Sequence, residues 1–337
     1  MKEKNKAKNL VEMFNQSTRK YAECRCQWWR TDTGSTASLD YDQVGLIVRE
    51  MAAGFFELKV EKQDRIAIMS ENCPQWLWAD FSILSAAAVS VPIYPSFSQR
   101  ETAYIINDSG AKILFVQNDQ AMQRIMDVWD AMPCLERIIV MQDNSSIQHP
   151  YVLNLRDLRE MGRGLLEKQP DALEKRLASI EMEDAMTIIY TSGTTGNQKG
   201  IIHTHRSFNA ANEIDFKIIP HISSEDVLLS ILPLSHSYER QFGQMMSICV
   251  GCTIAYADKS DSLIDSLQCF SPSWFVAAPS IFEKIFTAIW KEFDHSSHDR
   301  LMLANALTIG LEVVEANADE HGFIDASEQR DFLQGIL

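Results

Sequence analysis

Along the first half of the chain, segments with the apolar spacing of a helix alternate with short, continuous apolar runs that are typical of buried strands. Val44, Ile47, Val48, Met51 and Phe55 share one helical face, which predicts a core-facing helix over residues 40–58. Short apolar runs then alternate with further helical patterns. Strands are predicted at 65–69, 89–94, 113–117 and 137–141, and helices at 76–88, 99–108, 120–131 and 157–168. This alternation is typical of a mainly parallel sheet with helices on both faces.

The polar run 142–150 shows no periodicity and is predicted to be a loop, and the alternation resumes in the second half of the chain. Strands are predicted at 228–232, 253–256 and 274–277, and helices at 208–216, 241–250, 263–270 and 280–290. The pattern therefore predicts an α/β fold with two packed subdomains, residues 1–185 and 186–337. A ligand site is expected near the seam between them, because sheets of this kind usually bind ligands at such a crevice.

A segment rich in hydroxyls and glycines, with one lysine, connects two apolar runs between residues 187 and 205. Its candidate phosphate-binding residues are Thr191, Ser192, Gly193, Thr194, Thr195, Gly196, Lys199 and Gly200. The hydroxyls can donate to an anion, the glycines allow close backbone approach, and Lys199 supplies positive charge. The nucleoside-triphosphatase loop is excluded, because it needs four residues between its first glycine and its Gly-Lys pair. A flexible connector without a ligand is the alternative interpretation.

A second candidate segment follows the predicted strand at 228–232. Pro233 ends the apolar pattern, and His236, Glu239 and Arg240 then lie close together in the sequence. His236 is a candidate catalytic residue, and a histidine that is merely hydrogen-bonded at a strand end is the alternative. For Glu239 and Arg240 a purely structural interpretation is that they pair with each other or face water.

These segments carry a resemblance to a known family. The order Thr-Ser-Gly-Thr-Thr-Gly-Asn-Gln-Lys-Gly at 191–200 resembles the phosphate loop of the adenylate-forming, or AMP-binding, superfamily, with Gln198 where proline is usual. Residues 228–240 resemble the Leu-Pro-Leu-Ser-His-x-x-Glu-Arg motif of long-chain fatty acyl-CoA synthetases. The similarity extends over roughly residues 9 to 315. It includes the segments 64–76, 91–96, 104–116 and 272–284.

The resemblance implies both a fold and an activity. The fold would be the N-terminal region of the acyl-CoA synthetase and luciferase-like fold, truncated before its C-terminal lid domain. The activity would be long-chain fatty acid–CoA ligation, in which ATP and the acid form an acyl-adenylate that CoA then converts to a thioester. Lys199 and His236 would be the catalytic residues, His236 near the acyl carboxylate. Mg²⁺ would enter with ATP.

Three later elements of the family are not found in residues 1–337. They are the Tyr-Gly-x-Thr-Glu segment with its magnesium-binding glutamate, the ribose-binding aspartate and the lysine of the C-terminal domain. We therefore expect a truncated gene product, one part of a split enzyme with a separately encoded C-terminal portion, or a partial sequence, inactive alone. The alternative is a non-catalytic nucleotide- or acyl-binding remnant or regulator.

Composition narrows the partners and the location. A net charge of −15 argues against nucleic acid, which requires a basic face. No apolar run is long enough to span a bilayer, so a cytoplasmic protein is expected. The lysine-rich residues 2–8 are interpreted as a solvated tail, with peripheral contact to anionic lipid as the alternative.

Two cysteine- or acid-containing motifs are not expected to bind metal. The chain has seven cysteines, an odd number that is typical of reduced thiols, and the Cys249–Cys252 spacing lacks a second ligand pair. Residues 317–328 follow the spacing of an EF-hand loop, but Asn317 and His321 replace carboxylates at two ligand positions. The sequence therefore predicts no protein metal site and no tight calcium binding.

Overall fold

A computed structural model gives the fold of most of the chain. It describes residues 7–31, 33–142, 149–191, 198–218, 222–257, 263–292 and 296–317. The chain divides into two compact units, residues 1–277 and residues 278–337. The polar segment predicted at 142–150 and the EF-hand-like segment therefore lie largely outside the described residues.

Strands and helices alternate through the first unit as the sequence predicts. The strands are β1 (Arg25–Arg30), β2 (Thr36–Asp40), β3 (Arg65–Met69), β4 (Val89–Ile93), β5 (Ile113–Val116), β6 (Arg137–Val140), β7 (Val152–Asn154), β8 (Ala185–Thr191), β9 (Lys199–Thr204), β10 (Val227–Ser230), β11 (Thr253–Tyr256) and β12 (Trp274–Phe275). The helices are α1 (Leu10–Lys20), α2 (Tyr41–Glu57), α3 (Pro74–Ser85), α4 (Gln99–Ser109), α5 (Asp119–Met126), α6 (Leu155–Lys168), α7 (Ala172–Ala178), α8 (His205–Ile218), α9 (Met246–Val250) and α10 (Leu263–Phe270). The described residues of the unit also form a short 3₁₀ helix (Trp129–Ala131) and a π-helix (Glu239–Met245).

The strands form two mainly parallel sheets, which confirms the predicted fold class. The larger sheet has the order β7-β6-β5-β3-β4-β8-β9, and the smaller has the order β12-β10-β11-β1-β2. Each sheet ends in one antiparallel pair, β8 with β9 and β1 with β2, while the other pairs are parallel. The parallel strands therefore present their carboxyl ends along one edge of each sheet.

Sheet membership does not follow the order of the chain. The N-terminal pair β1–β2 joins the smaller sheet through β11, more than two hundred residues later, with Gln27 opposite Ile254. Conversely, β8 begins at Ala185 and pairs with β4 of the larger sheet. The division into residues 1–185 and 186–337 stays a prediction about subdomains. The pairing of β1 and β2 was missing from the sequence prediction, as were α1, β7 and α7.

Local sequence explains where several helices begin and end. Asp40 accepts a hydrogen bond from the backbone of Gln43, whose side chain caps Asp40 in return, so α2 begins with a capping box. Ser98 and Glu101 form the same arrangement at α4. That helix ends at Gly110, whose φ of 65° is left-handed, a conformation that favours glycine.

Helices α2 and α6 cross in backbone contact because each carries a glycine at the crossing. A Cβ atom at Gly162 would lie 1.8 Å from the Glu50 carbonyl oxygen, and one at Gly54 would lie 2.2 Å from that of Leu158. The Glu50 carboxylate is buried beside this crossing and binds Arg159 Nε at 2.7 Å. Both glycines are therefore packing residues.

The main apolar core joins the two sheets. Ile66 and Phe115 of the larger sheet belong to the same buried cluster as Leu228 and Ile254 of the smaller sheet. Helices α1 and α3 contribute to it, and the rings of Phe14 and Phe81 stack with centroids 4.3 Å apart. Because one core serves both sheets, residues at their edges are held in defined positions relative to each other.

The second unit contains two helices over its described residues, α11 (Pro279–Glu292) and α12 (Ser297–Asn317). Both expose large apolar side chains to solvent, among them Phe282, Phe286, Leu301 and Leu311. A search of the helices in the described ranges finds none that is long and apolar enough to cross a membrane.

Candidate functional site

The predicted phosphate loop connects the two strands of the β8–β9 hairpin. Thr191 and Lys199 are opposite each other in the strand register, and Tyr190 is opposite Gly200. Thr191, Lys199 and Gly200 are exposed at the end of the hairpin that carries the connecting loop. The structure therefore brings these three predicted residues together. The remaining predicted ligands lie outside the described residues, namely Ser192, Gly193, Thr194, Thr195 and Gly196.

Helix α4 anchors both strands of the hairpin. Tyr190 donates its hydroxyl to Asp108 Oδ2 at 2.6 Å, and Tyr104 donates to the Gln198 carbonyl oxygen at 3.0 Å. Burial and the bond to Asp108 raise the pKa of Tyr190 well above its ordinary value, so this hydroxyl stays a donor. A Cβ at Gly200 would lie only 3.0 Å from the Tyr190 ring. A side chain at 200 would therefore require the neighbouring Ile188 and Tyr190 side chains to shift.

His236 lies in the segment that follows β10. Its backbone N–H donates to the Pro233 carbonyl oxygen at 2.9 Å, and its Nδ1 accepts the Tyr238 backbone N–H at 3.1 Å. A neutral imidazole that accepts at Nδ1 carries its proton on Nε2. The side chain is exposed, so Nε2–H is a donor at the surface of this segment.

Glu239 and Arg240 neither pair with each other nor face water, because both side chains are buried and each binds another residue. Ser230 donates to Glu239 Oε1 at 2.7 Å at the end of β10. Removal from water raises the pKa of Glu239 to about 8, although the Ser230 bond acts in the opposite direction. Sequence proximity suggested a pair between neighbours, whereas the π-helix directs the two side chains to different partners.

Arg240 binds residues from two distant parts of the chain. Its Nε and Nη2 donate to the two oxygens of Asp80 at 2.9 and 2.6 Å, and its Nη1 donates to Thr187 Oγ1 at 2.7 Å. Both charged side chains are fully buried. The rings of Trp76 and Phe208 each lie 5.7 Å from the guanidinium carbon. A buried charge requires such complete pairing, because it has lost its hydration.

Asn72 holds the start of the His236 segment against the larger sheet. It lies in the loop after β3, and its Nδ2 donates to Ser230 Oγ at 3.0 Å and to the Leu232 carbonyl oxygen at 2.7 Å. Its Oδ1 accepts the Leu234 N–H at 2.8 Å. Sequence analysis did not single out Asn72. The available signal was a polar residue directly after a buried strand.

A cleft of about 740 Å³ lies at the carboxyl ends of strands from both sheets. On the larger sheet it is lined by Met69 of β3 and by the residues directly after β5 and β6, Gln117 and Met141. On the smaller sheet it is lined by Trp29 of β1 and Tyr256 of β11. This edge is where open α/β sheets usually bind ligands. None of the predicted site residues is among the described residues that line the cleft.

The cysteines and acids show no metal centre within the part of the chain that the structure describes. No group of three or more His, Cys, Asp or Glu side chains is arranged there to hold an ion. Cys249 and Cys252 are both free thiols. Burial raises the pKa of each to about 11, which disfavours the thiolate that metal binding needs.

Comparison with known proteins identifies the family of this two-sheet fold and its hairpin loop. The chain belongs to the AMP-binding enzyme family, whose model matches residues 14–321. It is similar to the long-chain-fatty-acid–CoA ligase ACSBG1 of Bos taurus, with 26% identity over 90% of this chain and 42% of that protein. It is also similar to the long-chain-fatty-acid–CoA ligase FadD15 of Mycobacterium bovis, with 29% identity over 77% of this chain and 42% of that protein. The chain thus spans about two fifths of the length of these relatives.

Solved structures agree on the fold. The anthranilate CoA ligase AuaEII, crystallised with anthranoyl-AMP, matches with a TM-score of 0.69 at 19% identity, over 80% of this chain and 50% of that one. The N-terminal domain of FACL13 from Mycobacterium tuberculosis matches with a TM-score of 0.66 at 22% identity, over 82% of this chain and 64% of that one. The resemblance inferred from the sequence is confirmed at the level of family and fold.

Proposed function

We propose that residues 1–337 form the N-terminal, nucleotide-binding portion of a long-chain fatty acid–CoA ligase. The substrates are a long-chain fatty acid, ATP with Mg²⁺, and CoA. One observation carries the proposal: in a chain of the AMP-binding family, the β8–β9 hairpin places Lys199 directly opposite Thr191 next to its connecting loop, both exposed. The names of the curated relatives supply the substrate class.

The hairpin residues have the chemistry that a polyphosphate needs. An ammonium group and a hydroxyl that face solvent side by side can both donate to phosphate oxygens. In this proposal Lys199 and Thr191 bind the β- and γ-phosphates, and Lys199 opposes the charge that develops on departing pyrophosphate. The hairpin is anchored to α4 through Tyr190 and Tyr104, so the backbone positions that carry these groups are held in place before ATP binds.

His236 is proposed to act on the acyl substrate. With Nδ1 engaged by the Tyr238 N–H, its Nε2–H can donate to a carboxylate oxygen of the fatty acid. Such a bond would orient the carboxylate for attack on the α-phosphate of ATP. Mg²⁺ would supply charge neutralisation on the phosphates of ATP. The described residues offer no cluster of their own to hold the ion, so it would enter as the ATP complex.

Residues 1–337 supply only part of the machinery in this proposal, because the match spans only 42% of the length of each of these relatives. We propose that the chain alone binds ATP weakly and forms no acyl-CoA. In this proposal the family's remaining nucleotide ligands and its C-terminal lysine would be supplied by polypeptide outside residues 1–337, encoded with this chain or separately.

Two measurements on the purified chain test the proposal. Calorimetric titration with MgATP should show weak binding, and incubation with palmitate, ATP and CoA should release no AMP and form no thioester. Absence of ATP binding by the folded chain would contradict a nucleotide-binding role. Robust thioester formation by the chain alone would show that residues 1–337 carry the complete chemistry. ATP binding without thioester formation, even with a downstream-encoded partner, would favour a non-catalytic nucleotide-binding protein.

A further inference from the structure

Arg240 connects the π-helix, in which it lies, to helix α3 and strand β8. It lies in the π-helix that follows β10 of the smaller sheet, and it binds Asp80 on α3. Its third bond goes to Thr187 on β8 of the larger sheet. The Thr187 hydroxyl in turn donates to the Ser90 carbonyl oxygen of β4 at 2.7 Å. One buried guanidinium therefore holds the π-helix, which follows a strand of the smaller sheet, against β8 and β4 of the larger sheet.

Both ends of this connection lead directly to the candidate site. The Arg240 backbone N–H donates to the His236 carbonyl oxygen at 3.1 Å, one helical turn away. Thr187 lies four residues before Thr191, on the strand that enters the phosphate loop. The π-helical form of the intervening segment is itself uncommon, and such segments occur frequently at functional sites.

Stability alone is a poor explanation for this arrangement. A buried ion pair is often no more stabilising than apolar residues of the same volume, because desolvation offsets most of the attraction. Its best-attested role is to fix register between elements. The guanidinium suits that role, since its planar fork fixes both distance and angle, which a lysine ammonium cannot do.

We propose that Arg240 is a positioning residue, which holds the His236 segment at a fixed place relative to β8 and the phosphate loop. The inference rests on the proposed function, since it assumes that the loop and His236 serve one site. It concerns a different residue, however, and a link that can be measured in the chain without ligand.

Thr187→Val is the sharpest test, because it removes the Thr187 hydroxyl and leaves the Arg240–Asp80 pair in place. Thr253→Val is a matched control: Thr253 is a buried strand threonine whose hydroxyl donates to the Arg25 carbonyl oxygen at 2.9 Å. Thr187→Ser should restore wild-type behaviour. Arg240→Lys, which keeps the charge and loses the fork, is the second variant if Thr187→Val does not fold.

Hydrogen exchange of the full chain without ligand is the first measurement. Thr187→Val loses the bonds of the Thr187 hydroxyl to Arg240 and to Ser90. We expect this loss to speed exchange about three- to tenfold at residues 188–191 and also at 236–245. Thr253→Val should change neither segment. Unchanged exchange at 236–245 in Thr187→Val would overturn the proposal.

ATP affinity of the same variants is the second measurement. Thr187→Val should weaken ATP binding about three- to tenfold relative to Thr253→Val, with recovery in Thr187→Ser. Equal affinities in the two valine variants would reduce Arg240 to a structural residue and overturn the proposal. If the wild-type chain binds no ATP, the proposed function fails, and the exchange result alone decides whether Arg240 links the two segments.

Discussion

The end of the β8–β9 hairpin and the π-helix after β10 each carry one basic residue of the candidate site, in opposite environments. Lys199 is exposed beside Thr191, whereas Arg240 has no exposed surface and binds Asp80 and Thr187. The exposed lysine keeps its donors for a ligand. The buried arginine donates from Nε, Nη1 and Nη2 to oxygens of the protein itself. The same formal charge therefore serves recognition in one region and geometry in the other.

The two environments also differ in how they arise. Lys199 needs only an antiparallel register with Thr191, eight residues earlier, to reach its place. Arg240 needs Asp80, which lies 160 residues earlier in the chain, and Thr187, which lies 53 residues earlier. A local pattern predicts the loop that connects Thr191 and Lys199, but only the packed sheets bring Arg240 to Asp80 and Thr187.

The largest expected effect is on stability at Arg240. Arg240→Met should lower the free energy of unfolding by about 3 to 5 kcal/mol, because it leaves the Asp80 carboxylate buried without its partner. Urea denaturation measures this loss. The double variant Arg240→Met with Asp80→Leu should recover much of it, since both charges are then removed. A loss below about 1 kcal/mol in the single variant would mean that the pair is not buried in solution.

Lys199→Ala should show the reverse profile, with a large change in binding and a small one in stability. We expect ATP affinity to fall about ten- to a hundredfold, the value of one charge-assisted contact. Affinity for AMP should change little, because AMP lacks the β- and γ-phosphates. The unfolding free energy should stay within about 0.5 kcal/mol of wild type. Lys168→Ala, an exposed lysine on α6, is the control. Equal ATP affinity in both variants would remove Lys199 from the site.

Glu239, in the π-helix, should make the free energy of unfolding of the protein depend on pH. Burial raises the pKa of Glu239 from 4.5 to about 8 in the folded chain. Its contribution to stability is therefore complete below pH 4.5 and is lost as pH rises towards 8, because only the unfolded chain releases the proton in that interval. Between pH 6 and 7.5, wild type should lose about 1 to 2 kcal/mol relative to Glu239→Gln. Parallel pH dependence of the two proteins in urea denaturation would contradict the raised pKa.

The smallest effect should come from the outer face of the hairpin. Ile202 is 64% exposed, so Ile202→Thr should change the free energy of unfolding by less than about 0.5 kcal/mol. Ile189 on β8 is only 7% exposed. Ile189→Thr should therefore lower the free energy of unfolding by about 2 kcal/mol. Thermal unfolding compares them. Equal losses would mean that the outer face of β9 is covered in solution.

Much of the fold could be predicted from periodicity. The predicted strands at 65–69 and 253–256 and the helix at 263–270 coincide with β3, β11 and α10. The predicted helix at 241–250 is instead a π-helix that continues into α9. The short pair β1–β2 was missed because its strands do not show a clear alternation. Their place in the sheet depends on β11, more than two hundred residues away.

The amino-acid sequence by itself determined the alternating α/β elements, the hydroxyl- and glycine-rich loop between two strands, and the family to which these belong. These features depend on spacing within a few residues, because backbone periodicity and turn chemistry are local. Only the tertiary structure decided that β1 and β2 join the smaller sheet, that Asn72 holds the His236 segment, and that Arg240 is bound to Asp80. Those outcomes depend on burial, since a charged or polar side chain must find its partners among whichever residues the packed sheets bring within hydrogen-bonding distance.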